Sequence, residues 1–154
     1  TFYTLVYQAL GLRALGPVAR QFTAETIVRN WEPMLLANAT SFWETDLGAA
    51  DFADAGGLCH AWSALPVYYL GAWVLGVRPL APGFSRFAIS PYPDRFLQAE
   101  GAVPTPTGPI RIAWTRTDQG LNLTATGPRR LQPVLEPFAE APVARATYNG
   151  RALA

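Results

Sequence analysis

Glu44 stands directly behind two aromatic residues, in the run Ser41-Phe42-Trp43-Glu44-Thr45-Asp46. A carboxylate crowded by rings loses water, which favours its neutral form and suits it to proton transfer. Cleaving a glycosidic bond calls for two carboxyl groups flanking that bond, one an acid and the other a base or nucleophile. Asp46, Asp51 and Asp54 are nearby alternatives. A lone carboxylate is more often a solvated or capping group, so Glu44 is a candidate for its surroundings rather than its type. His60, the single histidine, opens a strongly apolar stretch and must face either a core or a cleft. Imidazole changes charge near neutral pH, yet a histidine so placed is more often a hydrogen-bonded structural residue. Cys59 is a poor nucleophile, because a nucleophile needs a base within hydrogen-bond reach. Its neighbour His60 is adjacent in sequence, and successive helix positions do not face each other. One Cys and one His cannot complete a zinc shell, and nothing in the sequence implies a cofactor or a metal.

These residues need elements to hold them. Apolar residues at helical spacing predict a first helix over about Phe2–Leu15, ended by Gly16-Pro17. A second runs over about Val18–Leu36, with Phe22, Ile27, Trp31, Met34 and Leu35 on its buried face. The two form a hairpin with a very short connection. Asn38 to Gly57 then reads as a long loop rich in Ala, Asp, Gly and Thr, and long ordered loops tend to be functional. A third helix is expected over about Leu58–Leu75, with His60 in its first turn and Pro66 kinking it. Ala55 to Val77 contains no Asp, Glu, Lys or Arg, which by length alone makes a membrane-span candidate. His60, Ser63, Pro66 and the lack of a flanking basic cluster favour an inner helix of a large fold instead.

From about Arg78 the chain changes character to short β-rich runs: Phe84–Ile89, Leu97–Val103, Ile110–Thr115, Leu121–Ala125, Leu131–Leu135 and Val143–Tyr148. Pro- and Gly-rich turns separate them, and Asp118-Gln119-Gly120 between two alternating runs marks a hairpin. Short strands at this spacing predict a small antiparallel β-sandwich. The expected fold class is therefore α + β in two domains, 1–77 helical and 78–154 β.

Half of the 154 residues are apolar, only 15% are charged, and the net charge is +1. The cations are scattered, so neither nucleic acid nor an anionic membrane surface is indicated as a partner. A single cysteine rules out a disulfide within the chain and leans towards the cytoplasm over secretion. Five Trp, six Tyr and eight Phe would suit a cleft in which rings stack on sugars, although most aromatic rings serve as core. The chain begins at Thr1 in what reads as mid-helix, without an N-cap, which suggests a larger protein.

Three runs in order, Ala39–Glu44, Gly57–Leu70 and Val74–Phe84, resemble the bacterial-type α-L-rhamnosidases of glycoside hydrolase family 78. The run Gly101–Gly108 is similar to the C-terminal domain of that family. The resemblance implies a catalytic domain of six helical hairpins in an α/α toroid, of which 1–77 would be the last portion, followed by a β-sandwich over 78–154. It implies that Glu44 is the general base, activating water for attack on the anomeric carbon with inversion. It further implies that His60 contacts substrate hydroxyls and that Trp43 shapes the sugar subsite. The substrate would be a rhamnose-containing glycoside or glycan. The general acid would lie in the missing N-terminal part of the same enzyme, so this chain by itself would be inactive. The chain departs from the family pattern in having Asn38-Ala39-Thr40-Ser41 for Gly-Ala-Thr-Thr and Gly57 for Ser, which bears on sugar specificity. Two other readings compete. One is a non-catalytic β-sandwich carbohydrate-binding module with a helical extension, which needs exposed, coplanar aromatics on the strands. The other is a membrane-anchored domain.

Overall fold

The computed structural model describes residues 25, 27–93 and 96–154. The first expected helix, the start of the second and hence their hairpin lie outside the described residues. The chain divides into two compact units between Tyr68 and Tyr69.

The first unit is carried by helix α1 (residues 27–36). Ile27, Trp31 and Met34 recur at helical spacing and are its buried face. It ends in a Schellman arrangement: Asn38 adopts φ 53°, Ala39 N–H donates to the Met34 carbonyl at 2.9 Å, and Asn38 N–H to that of Leu35 at 3.1 Å. Asparagine tolerates the left-handed conformation better than most residues, so the helix stops here.

The third expected helix is present but wound in three ways. A 3-10 turn spans Ala61–Ala64, helix α2 spans Leu65–Tyr69, and a π turn follows over Leu70–Val74. The helix starts three residues later than the apolar pattern suggests. His60 stays extended, at φ −130° and ψ 110°, just before the first turn rather than within it. Pro66 occupies the second position of α2, where a missing N–H costs little. It marks the change of winding instead of kinking a uniform helix. Among the described residues no helix is long and apolar enough to cross a membrane.

The second unit holds two sheets. The smaller has the order β1-β2-β6, built from β1 (Val77–Pro79), β2 (Arg86–Ile89) and β6 (Gln132–Leu135). The larger runs β3-β4-β5-β7-β8: β3 (Gln98–Val103), β4 (Ile110–Thr117), β5 (Gly120–Thr126), β7 (Val143–Tyr148) and β8 (Arg151–Ala152). The expectation of a purely antiparallel arrangement is corrected, since β2 pairs with β6 and β5 with β7 in parallel. The chain leaves the larger sheet after β5, contributes β6 to the smaller one, and returns as β7. Such a crossover lets strands run in the same direction, which a tight hairpin cannot.

Strict alternation explains β4 and β5. Ile110, Ile112 and Trp114 point inward from one, and Leu121, Leu123 and Ala125 from the other, while the residues between face solvent. The hairpin closes at Thr117↔Gly120, where Gly120 takes φ +122°. The core is completed by Phe87, Ala88 and Ile89 of β2, all fully buried, and Phe87 meets Tyr148 edge-on at 5.8 Å between ring centres. Each such large side chain contributes about 1.5–3 kcal/mol. Two interactions fasten the π turn to the sheets. Trp114 Nε1–H donates to the Val74 carbonyl at 2.9 Å. Arg78 donates to the carbonyls of Ala72 and Ser90, at 3.0 and 3.2 Å, with its guanidinium 4.6 Å above the Trp73 ring.

Candidate active site

Glu44, Trp43 and His60 all belong to the first unit and meet at the neck of one loop. Three backbone groups make that neck. Glu44 N–H donates to the Gly57 carbonyl at 2.7 Å, Gly57 N–H donates back to Glu44 Oε2 at 3.2 Å, and His60 N–H donates to the Phe42 carbonyl at 2.8 Å. Ser41 Oγ–H reinforces the pairing with a bond to the Leu58 carbonyl at 2.5 Å. The segments 41–44 and 57–60 therefore run side by side, and the residues between them form a closed loop of the Ω kind.

Sequence chemistry explains how the loop closes on itself. Gly48 has φ +59°, and a Cβ there would stand 2.8 Å from Cε3 of Trp43. The indole thus lies on the bare glycine. A Cβ on Gly56 would fall 1.9 Å from the Gly48 carbonyl oxygen, so those two backbones touch as well. Only glycine fits either position. At the loop's outer end, Phe52, Ala53 and Asp54 all adopt positive φ, between 52° and 65°. Left-handed residues of this kind cost roughly 1–2 kcal/mol each, and the closed loop must hold them there.

Glu44 and His60 are both half-buried. The Glu44 carboxylate takes one backbone donor on Oε2, and among the described residues no donor reaches Oε1 and no ion pair engages the group. One oxygen is thereby oriented and the other left available. Trp43 is half-buried, with one face committed to Gly48. Of the alternative carboxylates, Asp46 and Asp54 are exposed, and Asp51 Oδ1 accepts the N–H of its own neighbour Phe52 at 2.8 Å. Cys59 is exposed.

Some features of this neighbourhood were not singled out from sequence. Gly57 supplies the donor to Glu44. Thr45 and Ser63, next to Glu44 and one turn after His60, carry buried hydroxyls with no hydrogen-bond partner among the described residues. Trp31 Nε1–H reaches the Ser63 carbonyl at 2.8 Å. The close approach of Glu44 to a side-chain-free residue was the one signal available, in the Gly56-Gly57 pair. Among the described strands, the large aromatics Phe87, Trp114 and Tyr148 point into the core. They do not form the exposed platform that a stand-alone carbohydrate-binding module requires.

Comparison with known proteins adds identity to this geometry. Residues 76–132 match the bacterial alpha-L-rhamnosidase C-terminal domain. The alpha-L-rhamnosidase of Alteromonas sp. (strain LOR) is 40% identical over 75 residues, which is 48% of this chain and 8% of that protein. The crystal structure of the GH78 family rhamnosidase of Bacillus sp. GL1 superposes with a TM-score of 0.80 at 28% identity, covering 99% of this chain and 16% of that one. The Streptomyces avermitilis alpha-L-rhamnosidase, solved with L-rhamnose, superposes at 0.56 over 68% of this chain and 11% of its own, and at 20% identity it speaks to the fold alone. The chain spans only a small part of each relative's length.

Proposed function

We propose, from the match of residues 76–132 to the bacterial alpha-L-rhamnosidase C-terminal domain, that the chain is the C-terminal part of a family 78 enzyme, an inverting glycosidase that releases terminal α-L-rhamnose from glycosides or polysaccharides. Glu44 is the general base. Its free oxygen takes a proton from a water, whose oxygen attacks the anomeric carbon as the glycosidic bond breaks. The leaving oxygen takes its proton from a general acid that lies outside this chain, in the N-terminal part of the same enzyme. Inversion needs the two carboxyl groups roughly 6.5–9.5 Å apart, so that the water fits between base and sugar. His60 contacts hydroxyls of the sugar, and Trp43 walls its subsite.

The observation that carries this reading is the paired neck: Glu44 and His60 are held on adjoining loop segments by backbone bonds, while one carboxylate oxygen stays available. A carboxylate committed to an ion pair could not serve as a base. The boundary between the catalytic toroid and the β domain is proposed at 77/78, whereas the compact units divide at 68/69.

The test is Glu44→Gln in the intact protein that carries this chain. General-base catalysis supplies about 10²–10⁴-fold, so kcat should fall by at least about 10²-fold while substrate binding persists. Following the first-formed anomer by NMR should show inverted rhamnose from the wild type. Unchanged turnover would remove Glu44 from the mechanism, and a retained configuration would remove the inverting scheme.

A further inference from the structure

We infer that Trp31 is a positioning residue for the sugar-binding imidazole, acting through the backbone rather than by touching substrate. The inference rests on the reading of His60 given above. His60 is extended and N-caps the 3-10 turn that follows it, so only the first rung of that turn reaches its backbone. Two backbone hydrogen bonds hold it: its N–H donates to the Phe42 carbonyl at 2.8 Å, and its carbonyl accepts the Ser63 N–H at 3.0 Å. The first ties it to the Glu44 segment and the second to the 3-10 turn Ala61–Ala64. That turn is in turn anchored by Trp31, whose buried indole N–H donates to the Ser63 carbonyl at 2.8 Å.

Trp31, Ser63, His60 and Phe42 thus form one hydrogen-bonded series that leads from α1 to the residue two before Glu44. Trp31 is 6% exposed and Ser63 fully buried, so water cannot replace the indole donor without a rearrangement. The 3-10 turn is tightly wound, with poorer hydrogen-bond geometry than an α-helix, and the indole bond helps to set its distance from α1. Loss of the indole N–H frees the turn to shift, and the imidazole shifts with it. Misplacement of a binding group by a fraction of an ångström has a measurable cost, because substrate-positioning effects run to about 10²-fold per ångström.

The experiment is a double-mutant cycle in the intact protein, with p-nitrophenyl α-L-rhamnopyranoside as substrate. Trp31→Phe keeps a ring and removes the donor. Expected is a rise in KM of about three- to tenfold, a smaller change in kcat, and no further rise when Trp31→Phe is added to His60→Ala. Should Phe prevent folding, benzothienylalanine at position 31 preserves the shape of the ring system and removes only the N–H. A merely structural Trp31 would lower Tm in both backgrounds and leave KM alone, or raise KM equally with and without His60, and either result overturns the inference. If His60→Ala by itself leaves KM and kcat unchanged, the reading of His60 falls first and this inference falls with it.

Discussion

Gly57→Ala gives the sharpest test of how the carboxylate is held. The added Cβ would lie 3.0 Å from Glu44 Oε2 and 3.6 Å from Glu44 Cβ. Ordinary carbon–oxygen contact begins a few tenths of an ångström further out, so the carboxylate tip must yield by about that much. The backbone need not move, because Gly57 is not among the residues of positive φ. Positioning costs of about 10²-fold per ångström, applied to three or four tenths, give a fall in kcat of roughly four- to sixfold. KM should hold, since neither His60 nor Trp43 meets the new methyl group. Stability should barely change. Loss of a glycine stabilises by about 0.4–1 kcal/mol through the unfolded chain, which offsets a weakened N–H···O bond of about the same size. Initial rates on a chromogenic α-L-rhamnoside, read beside a thermal melt of the same variant, provide the assay. A variant that melts as the wild type does and turns over at the wild-type rate would show that Glu44 tolerates displacement and is not the base. A rise in KM equal to the loss in kcat/KM would place its role in binding instead.

Two further outcomes concern stability. The fully buried hydroxyl of Ser63 has no hydrogen-bond partner among the described residues, and an unsatisfied group of this kind costs about 1–3 kcal/mol. Ser63→Ala should therefore raise or preserve the urea midpoint, and a loss above about 1 kcal/mol would reveal a hidden partner. Burial pushes the Tyr148 phenol above its ordinary value of about 10, partly offset by a hydrogen bond with the Asn149 side chain. The unfolded chain then ionises first as pH rises. Stability from this group is fully present below about pH 10 and is lost between the unfolded and the folded pKa. Tyr148→Phe should flatten the decline in unfolding free energy between about pH 9 and pH 11. An identical slope in the variant would refute it.

Much of the β unit was legible from the chain because alternation and turn chemistry are local. Ile110-Arg111-Ile112-Ala113-Trp114 alternates and turns at Asp118-Gln119, and the hairpin follows. Val77–Pro79 and Arg151–Ala152 escaped notice because two or three residues carry no period, and the first ends in proline. The parallel pairs were invisible for a different reason: the partner of β2 is β6, and nothing local to either run specifies so distant a neighbour. At the site, residue types pointed to Glu44 and His60, but the imidazole was placed one turn too deep in the helix. An apolar run cannot reveal where winding begins when the first turn is 3-10. The glycine cradle for Trp43 was hidden too, since Gly48 and Gly56 read as generic loop residues until their backbones meet.

The register Arg86↔Gln132 has a consequence for how the molecule is made. Strands close in sequence collapse quickly, whereas joining distant ones waits on loop closure. The β3-β4-β5 meander can form from neighbours alone, and only afterwards do β2 and β6 clasp around it. During synthesis, Phe87, Ala88 and Ile89 leave the ribosome long before Gln132–Leu135 arrive to cover that edge. Until then these three consecutive apolar residues lie open, and this is the interval in which the nascent chain is most exposed to misassembly and to chaperones.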